Sequence, residues 1–86
     1  MRITASARTV RLQFDLPTEK VEEIDALMNS TGIATRKLLV QYALANFKWS
    51  IAQASEGRAV VAYDPSNNSY RELIMPPFEV VKPQIE

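Results

Sequence analysis

Polar and apolar side chains alternate near the start of the chain, in the stretch VRLQFDLP at residues 10–17. Its polar members are Arg11, Gln13 and Asp15, a guanidinium, an amide and a carboxylate. Because successive side chains of a β-strand point to opposite faces, a strand here would place all three on one face. The pattern therefore predicts a strand over residues 10–16 with a polar face that can form hydrogen bonds with a bound molecule.

The other side of this predicted strand is apolar. It carries Val10, Leu12, Phe14 and Leu16. A single strand leaves its backbone hydrogen-bonding groups without partners and its edges uncovered. The sequence therefore predicts that the strand pairs with another, and the simplest partner is the same strand of a second copy of the chain.

Residue types that commonly support catalysis are missing from the sequence. It contains no His and no Cys, which removes the commonest general base, the thiol nucleophile and the usual nitrogen and sulfur ligands of metals. Its two glycines cannot form a glycine-rich phosphate loop. The carboxylates at Glu19, Glu22, Glu23 and Asp25 are explained by a solvated helix face. We therefore expect a protein that is not an enzyme and that uses no cofactor and no metal.

Length and composition indicate one small globular domain, with 86 residues of which 47% are hydrophobic. No apolar run approaches the roughly 18 residues that cross a bilayer. The first ten residues lack the apolar core of a signal peptide. We therefore expect no membrane association and a cytoplasmic location.

The formal net charge is zero, but the charges are unevenly distributed. Arg2, Arg8 and Arg11 precede the first acidic residue, residues 15–25 are mostly acidic, and Arg36 and Lys37 form an isolated basic pair. This distribution predicts positive charge at the predicted strand and at the start of a second helix.

Two helices are predicted after the strand. Thr18 is a candidate N-cap, and Gly32 is a natural left-handed stop, so the first helix is expected over about residues 18–30. The second is expected from Ala34 or Thr35 to Gly57, a length of about 33 Å. It is apolar on nearly all sides, which favours burial by a second copy of the chain.

The C-terminal third has a different pattern. The runs RAVVAYD and SYRELIM flank the turn signal PSNN, which predicts a β-hairpin over about residues 58–75. Pro76 and Pro77 are expected to end regular structure, with a partly flexible tail after them. The predicted organisation is a flexible basic arm at 1–9, a strand–helix–helix unit at 10–56 and a hairpin extension with its tail at 57–86.

The order strand, helix, glycine turn, helix resembles the ribbon-helix-helix DNA-binding family of the Arc and MetJ repressors. The resemblance covers residues 10 to about 50 and depends on VRLQFDLP, VEEIDALMNSTG and GIATRKLLVQYALANF. It implies a mainly α fold with short β: an intertwined ribbon-helix-helix homodimer with a long second helix and, in this chain, a C-terminal β-hairpin. It also implies a sequence-specific repressor that inserts a two-stranded β-ribbon into the major groove of double-stranded DNA, as a dimer or as a tetramer on the DNA.

The resemblance assigns base contacts to Arg11, Gln13 and Asp15. Arg11 can bond guanine and Gln13 adenine, each through two hydrogen bonds. Asp15 departs from this chemistry because phosphate repels a carboxylate, so it would accept from a cytosine amino group or pair with Arg11 of the other strand. The alternative for Arg11 and Gln13 is that both are merely solvated.

The resemblance also assigns phosphate contacts to the start of the second helix, where backbone amides and the helix dipole attract anions. The matching residues are Ala34, Thr35 and Arg36, with the N-cap at Thr35, and Lys37 adds charge. Arg8 and Arg2 would lie along the DNA backbone, unless the terminus touches nothing. The expected dimer core consists of Val10, Leu12, Phe14, Leu16, Ile24, Leu39 and Tyr42.

Two other functions remain open at this point. The chain could be an antitoxin or another protein-interaction module whose C-terminal extension binds a partner protein. It could also be an assembly protein that keeps the fold without binding DNA, which the zero net charge and Asp15 favour.

Overall fold

In a computed structural model, which describes residues 8–84, the chain forms helices and one two-stranded antiparallel sheet. Arg2 and most of the predicted basic arm lie outside the described residues. The elements, in chain order, are α1 (Thr18–Thr31), α2 (Arg36–Ser55), β1 (Val61–Asp64), β2 (Ser69–Glu72) and α3 (Pro76–Val81).

The first helix begins and ends for different local reasons. Pro17 is the N-cap residue and no side chain caps the helix, so the prediction that Thr18 is the cap is wrong. Gly32 ends the helix with φ at 75°, in the left-handed region, and its N–H donates to the Met28 carbonyl. The predicted glycine stop is confirmed.

The second helix begins after Thr35, whose extended backbone and side chain form the N-cap. The Thr35 hydroxyl accepts a hydrogen bond of 3.0 Å from the Leu38 amide. Helix α2 ends at Ser55, just before Gly57, which has φ at 83°. With 20 residues it is about 30 Å long, slightly shorter than predicted.

The predicted hairpin is confirmed, with shorter strands than its apolar runs. The end pairs of the ladder are Val61 with Glu72 and Asp64 with Ser69. Asp64 Oδ1 accepts from the Ser66 amide at 3.0 Å and from the Ser66 hydroxyl at 2.7 Å, which closes the turn on the β1 side. On the β2 side, Asn68 takes the left-handed φ of 55° that asparagine tolerates.

The expectation that Pro76 and Pro77 end regular structure is wrong. They begin helix α3 instead, where Met75 is the N-cap residue. Proline is well suited to the first turn of a helix because its missing N–H has no partner there in any case. The short helix places Phe78 against the rest of the chain, and this side chain is buried.

The predicted strand over residues 10–16 is absent. Residues 8–17 form neither helix nor strand, and within the described chain no backbone hydrogen bond pairs residues 8–16 with another segment. The ribbon-helix-helix fold class, with its intertwined ribbon, is therefore wrong. Alternation fixes which side chains share a face, but a strand also needs a partner for its backbone, and β1 and β2 pair with each other.

Little of the chain is buried. Among the described residues, only Ser50, Ala54 and Phe78 are buried, at the contact between α2 and α3. Helix α1 contacts α2, and its half-buried side chains are Val21, Ile24 and Met28. The two strands contact each other. Within residues 8–84, neither strand closely approaches a helix.

Candidate nucleic-acid interface

An open groove lies between the segment before α1 and the first turns of α2. The segment contributes both a cation and apolar side chains, and the helix contributes two cations. The lining residues are Thr9, Val10, Arg11, Leu12, Phe14, Arg36, Lys37, Val40 and Gln41.

This groove joins residues that the sequence assigned to two different roles. Arg11 was expected to contact bases, whereas Arg36 and Lys37 were expected to contact phosphate. All three line the same surface. Gln13, Asp15, Ala34 and Thr35 do not line it, and neither does Arg8, although all are exposed.

One of the three cations is held by an ion pair with helix α1. The Arg36 guanidinium donates from Nε to Asp25 Oδ1 at 3.1 Å and from Nη2 to Asp25 Oδ2 at 3.0 Å. The hydrogen bond from Arg36 lowers the pKa of Asp25, and the same bond raises the pKa of Arg36. Both groups are therefore charged at neutral pH. Arg11 and Lys37 form no ion pair within the described residues.

The N-terminus of α2 contributes backbone donors beside the groove. Thr35 satisfies the Leu38 amide with its side chain, and its carbonyl accepts from the Leu39 amide at 3.1 Å. The amides of Arg36 and Lys37 precede these in the first turn, where helical N–H groups have no partner within the helix. N–H groups at a helix N-terminus can donate to an anion.

Three residues at or beside the groove were not predicted from the sequence as members of a site. Val40 and Gln41 follow Arg36 and Lys37 by one helical turn, so i,i+4 spacing on a helix already recognised could have found them. Asp25 is 11 positions from Arg36. The meeting of these two residues depends on how α1 crosses α2, which residue spacing along the chain does not give.

The residues predicted to form a dimer core differ in exposure: some are half-buried between the helices and the others are exposed. Ile24 and Leu39 are half-buried, on the two helices that contact each other. Val10, Leu12 and Phe14 are 80%, 75% and 70% exposed. Leu16 and Tyr42 are exposed as well.

The hairpin presents a second exposed surface, remote in sequence from the groove. The rings of Tyr63 and Tyr70 pack across the strands with centroids 5.0 Å apart. The Tyr63 hydroxyl donates to Asn68 Oδ1 at 3.1 Å, which ties the aromatic pair to the turn. Val61 and both tyrosines are nevertheless largely exposed.

No cluster of three or more Asp, Glu, His or Cys residues that could hold a metal ion occurs within residues 8–84. In the same part of the chain, no helix is long and apolar enough to cross a membrane. No family model, no curated protein and no solved structure matches the chain.

Proposed function

We propose that the protein is a homodimeric, sequence-specific double-stranded DNA-binding protein that acts as a transcriptional repressor. The observation that carries the proposal is the groove shared by Arg11, Arg36 and Lys37. Cations that converge on one open surface attract phosphates and release the counterions condensed on DNA, which is the main source of affinity for a duplex. The zero net charge does not oppose this, because local charge governs the contact.

In this proposal the segment at residues 8–17 is placed against base edges in the major groove. Arg11 can donate two hydrogen bonds to guanine, and Gln13 can exchange two with adenine. The segment would contact the bases in its irregular conformation, without forming a β-ribbon. Asp15 would accept from a cytosine amino group.

Phosphate binding is assigned to the first turn of α2. The amides of Arg36 and Lys37 would donate to one phosphate, and the Lys37 ammonium would add charge. Arg8 would contact the neighbouring backbone. Contacts of this kind fix the position of a protein on the duplex and leave the sequence to be read by Arg11, Gln13 and Asp15.

The proposal includes a homodimer because the exposed apolar surface of α2 is too large for an isolated chain. Val40, Leu44 and Phe47 lie along one side of the helix and are exposed. Val40 also lines the groove, so this stripe continues from it. A twofold pairing along the stripe would present two grooves to two half-sites.

The test is a titration of fluorescent duplexes, first selected from random sequence, followed by fluorescence anisotropy at several salt concentrations. We expect Lys37→Ala to reduce the magnitude of the slope of log K against log salt by about 1.8 for the dimer, because each of its two lysines accounts for one phosphate at about 0.9. Arg11→Ala should weaken binding by about tenfold or more and relax the sequence preference at one position.

The matched control is Arg71→Ala, which removes the same charge from strand β2, away from the groove. It should leave affinity nearly unchanged. Equal losses from Arg11→Ala and Arg71→Ala would show that the groove is not the binding site. Failure of the unmodified protein to bind any duplex at low salt would reject the proposal and favour an assembly role.

A second candidate function, binding of a partner protein through the C-terminal extension, is favoured by the hairpin. Two-stranded hairpins are marginally stable alone, and the strands here contact no helix closely within residues 8–84. The exposed Tyr63 and Tyr70 suit a protein contact. The double variant Tyr63→Ser/Tyr70→Ser tests this. If the two tyrosines serve a partner protein, the dimer and its DNA affinity stay unchanged, whereas loss of the dimer would make the hairpin part of the dimer and reject this candidate.

A further inference from the structure

The ion pair between Asp25 and Arg36 links the two helices beside the groove. Asp25 lies on α1, and Arg36 is the first residue of α2. The two bonds, 3.1 Å and 3.0 Å long, run from Nε and Nη2 to the two carboxylate oxygens. This parallel geometry is the most specific that a guanidinium and a carboxylate form.

The pair uses one edge of the guanidinium. Arginine has five N–H donors, of which one is on Nε and four are on the two terminal nitrogens. Asp25 takes the Nε donor and one Nη2 donor, so the Nη1 edge has no bond to Asp25. Because Arg36 lines the groove, a phosphate can be bound by this second edge while Asp25 remains in place.

We infer that Asp25 is a positioning residue, which holds the Arg36 guanidinium so that its second edge faces a DNA phosphate in the groove. This inference rests on the proposed DNA-binding function. A free arginine side chain loses rotamer entropy when it is immobilised by a ligand. Asp25 reduces that loss in advance, because the bidentate bond restrains Arg36 before DNA arrives, and the reduction is modest because both side chains are more than half exposed. Its negative charge costs some attraction, but the net effect on affinity is favourable.

The competing view is that Asp25 occupies Arg36 and must leave before DNA binds. The two views predict opposite signs for the same substitution, Asp25→Asn. Glu22→Gln is the matched control, since it removes one negative charge from α1 and Glu22 forms no ion pair within residues 8–84. Comparing the two variants cancels the general effect of removing a negative charge near DNA.

The experiment measures the affinity of the full chain for one selected duplex, together with its melting temperature. Relative to Glu22→Gln, we expect Asp25→Asn to bind roughly two- to tenfold more weakly, the effect of one long side chain that is no longer ordered in advance. Asp25→Glu should restore part of this. In an Arg36→Ala background, Asp25→Asn should change the affinity no more than Glu22→Gln does.

Equal or tighter binding by Asp25→Asn than by Glu22→Gln would overturn the inference and leave the DNA-binding function intact. A lower melting temperature without the affinity loss would also overturn it, because Asp25 would then only hold α1 on α2. If the unmodified protein binds no duplex, the proposed function fails first and the inference fails with it.

Discussion

At the scale of single residues, Gly32 is a position where the backbone conformation, and not side-chain packing, limits which residue can be accommodated. Its φ of 75° ends α1, and a Cβ added there would meet no atom within 4 Å. In the folded state, the effect of Gly32→Ala must therefore come from the left-handed backbone, which costs an L-residue about 1–2 kcal/mol. We expect urea unfolding to show a loss of about that size.

Gly32→Asn is the control for this change, because asparagine tolerates the left-handed region better than alanine. It should lose clearly less stability than Gly32→Ala. Equal losses from the two variants would mean that the backbone conformation at this turn does not determine the effect.

Asp64 provides a second prediction at this scale, through its pKa. The hydroxyl of Ser66, then its amide, lowers the pKa of the Asp64 carboxyl below the ordinary 3.8. A carboxyl whose pKa is lowered by folding stabilises the folded state above pH 3.8, and this contribution is lost as the pH falls through the native value. The hairpin turn should therefore loosen only below pH 3.8.

The substitution Ser66→Ala removes the larger of the two causes and should move the Asp64 pKa upward, toward 3.8. Carbon-detected NMR of the Asp64 carboxyl measures this directly. Ser69→Ala is the control, because the Ser69 hydroxyl donates to Asn67 and not to Asp64. A shift of the same size in both variants would contradict the assignment of the cause to Ser66.

At the scale of elements, local sequence signals predicted several element ends correctly, although the predicted Thr18 cap was wrong. Gly32 and Thr35 bound the helices through their own backbone and side-chain preferences, and PSNN marks a turn that pairs neighbouring runs. The strand over residues 10–16 failed because its partner is not local. Pro76 was misread because proline both ends one element and begins another, and only the burial of Phe78 distinguishes these.

For the candidate site too, the sequence predicted local features but not tertiary contacts. Arg11, Arg36 and Lys37 could be chosen from charge and position in the sequence. That they share one groove depends on how the segment before α1 lies on α2, which is a tertiary contact. Asp25 was hidden for the same reason, since it meets Arg36 only through the crossing of two helices.

Helix α3 gives a prediction that belongs to this scale. Phe78 is 7% exposed and lies at the contact of α3 with α2, whereas Val80 on the same helix is 81% exposed. Phe78→Ala should therefore destabilise the chain by about 3 kcal/mol, near the lower end for a buried phenylalanine. Val80→Ala should stay within about 0.5 kcal/mol. Denaturant unfolding followed by circular dichroism measures both.

If Val80→Ala proved as damaging as Phe78→Ala, the exposed side of α3 would be covered by another molecule. Equal and negligible effects would mean that α3 contributes nothing to stability. Either outcome would contradict the conclusion that the buried Phe78 holds α3 against α2.

At the scale of the whole molecule, the main feature is that few of the described side chains are buried. The accessible surface is 7851 Å². A compact folded monomer of this mass would expose about 5,100 Å². Large exposed apolar side chains of the first segment and of α2 contribute to this surface. A chain this small is therefore expected to complete its core by association.

The last prediction tests whether α2 supplies that association. Leu44 on α2 and Leu27 on α1 are 57% and 55% exposed in the single chain, and substitution by alanine removes the same atoms from each. In an isolated chain the two variants would lose similar, small amounts of stability. If the stripe containing Leu44 is the dimer contact, only Leu44→Ala removes buried contacts, at a cost of about 2 kcal/mol or more per protomer. Because a dimer carries the change twice, about 4 kcal/mol in all, sedimentation equilibrium should show Leu44→Ala weakening the dimer by roughly a thousandfold, while Leu27→Ala leaves it nearly unchanged. Equal behaviour of the two variants would place the dimer contact elsewhere.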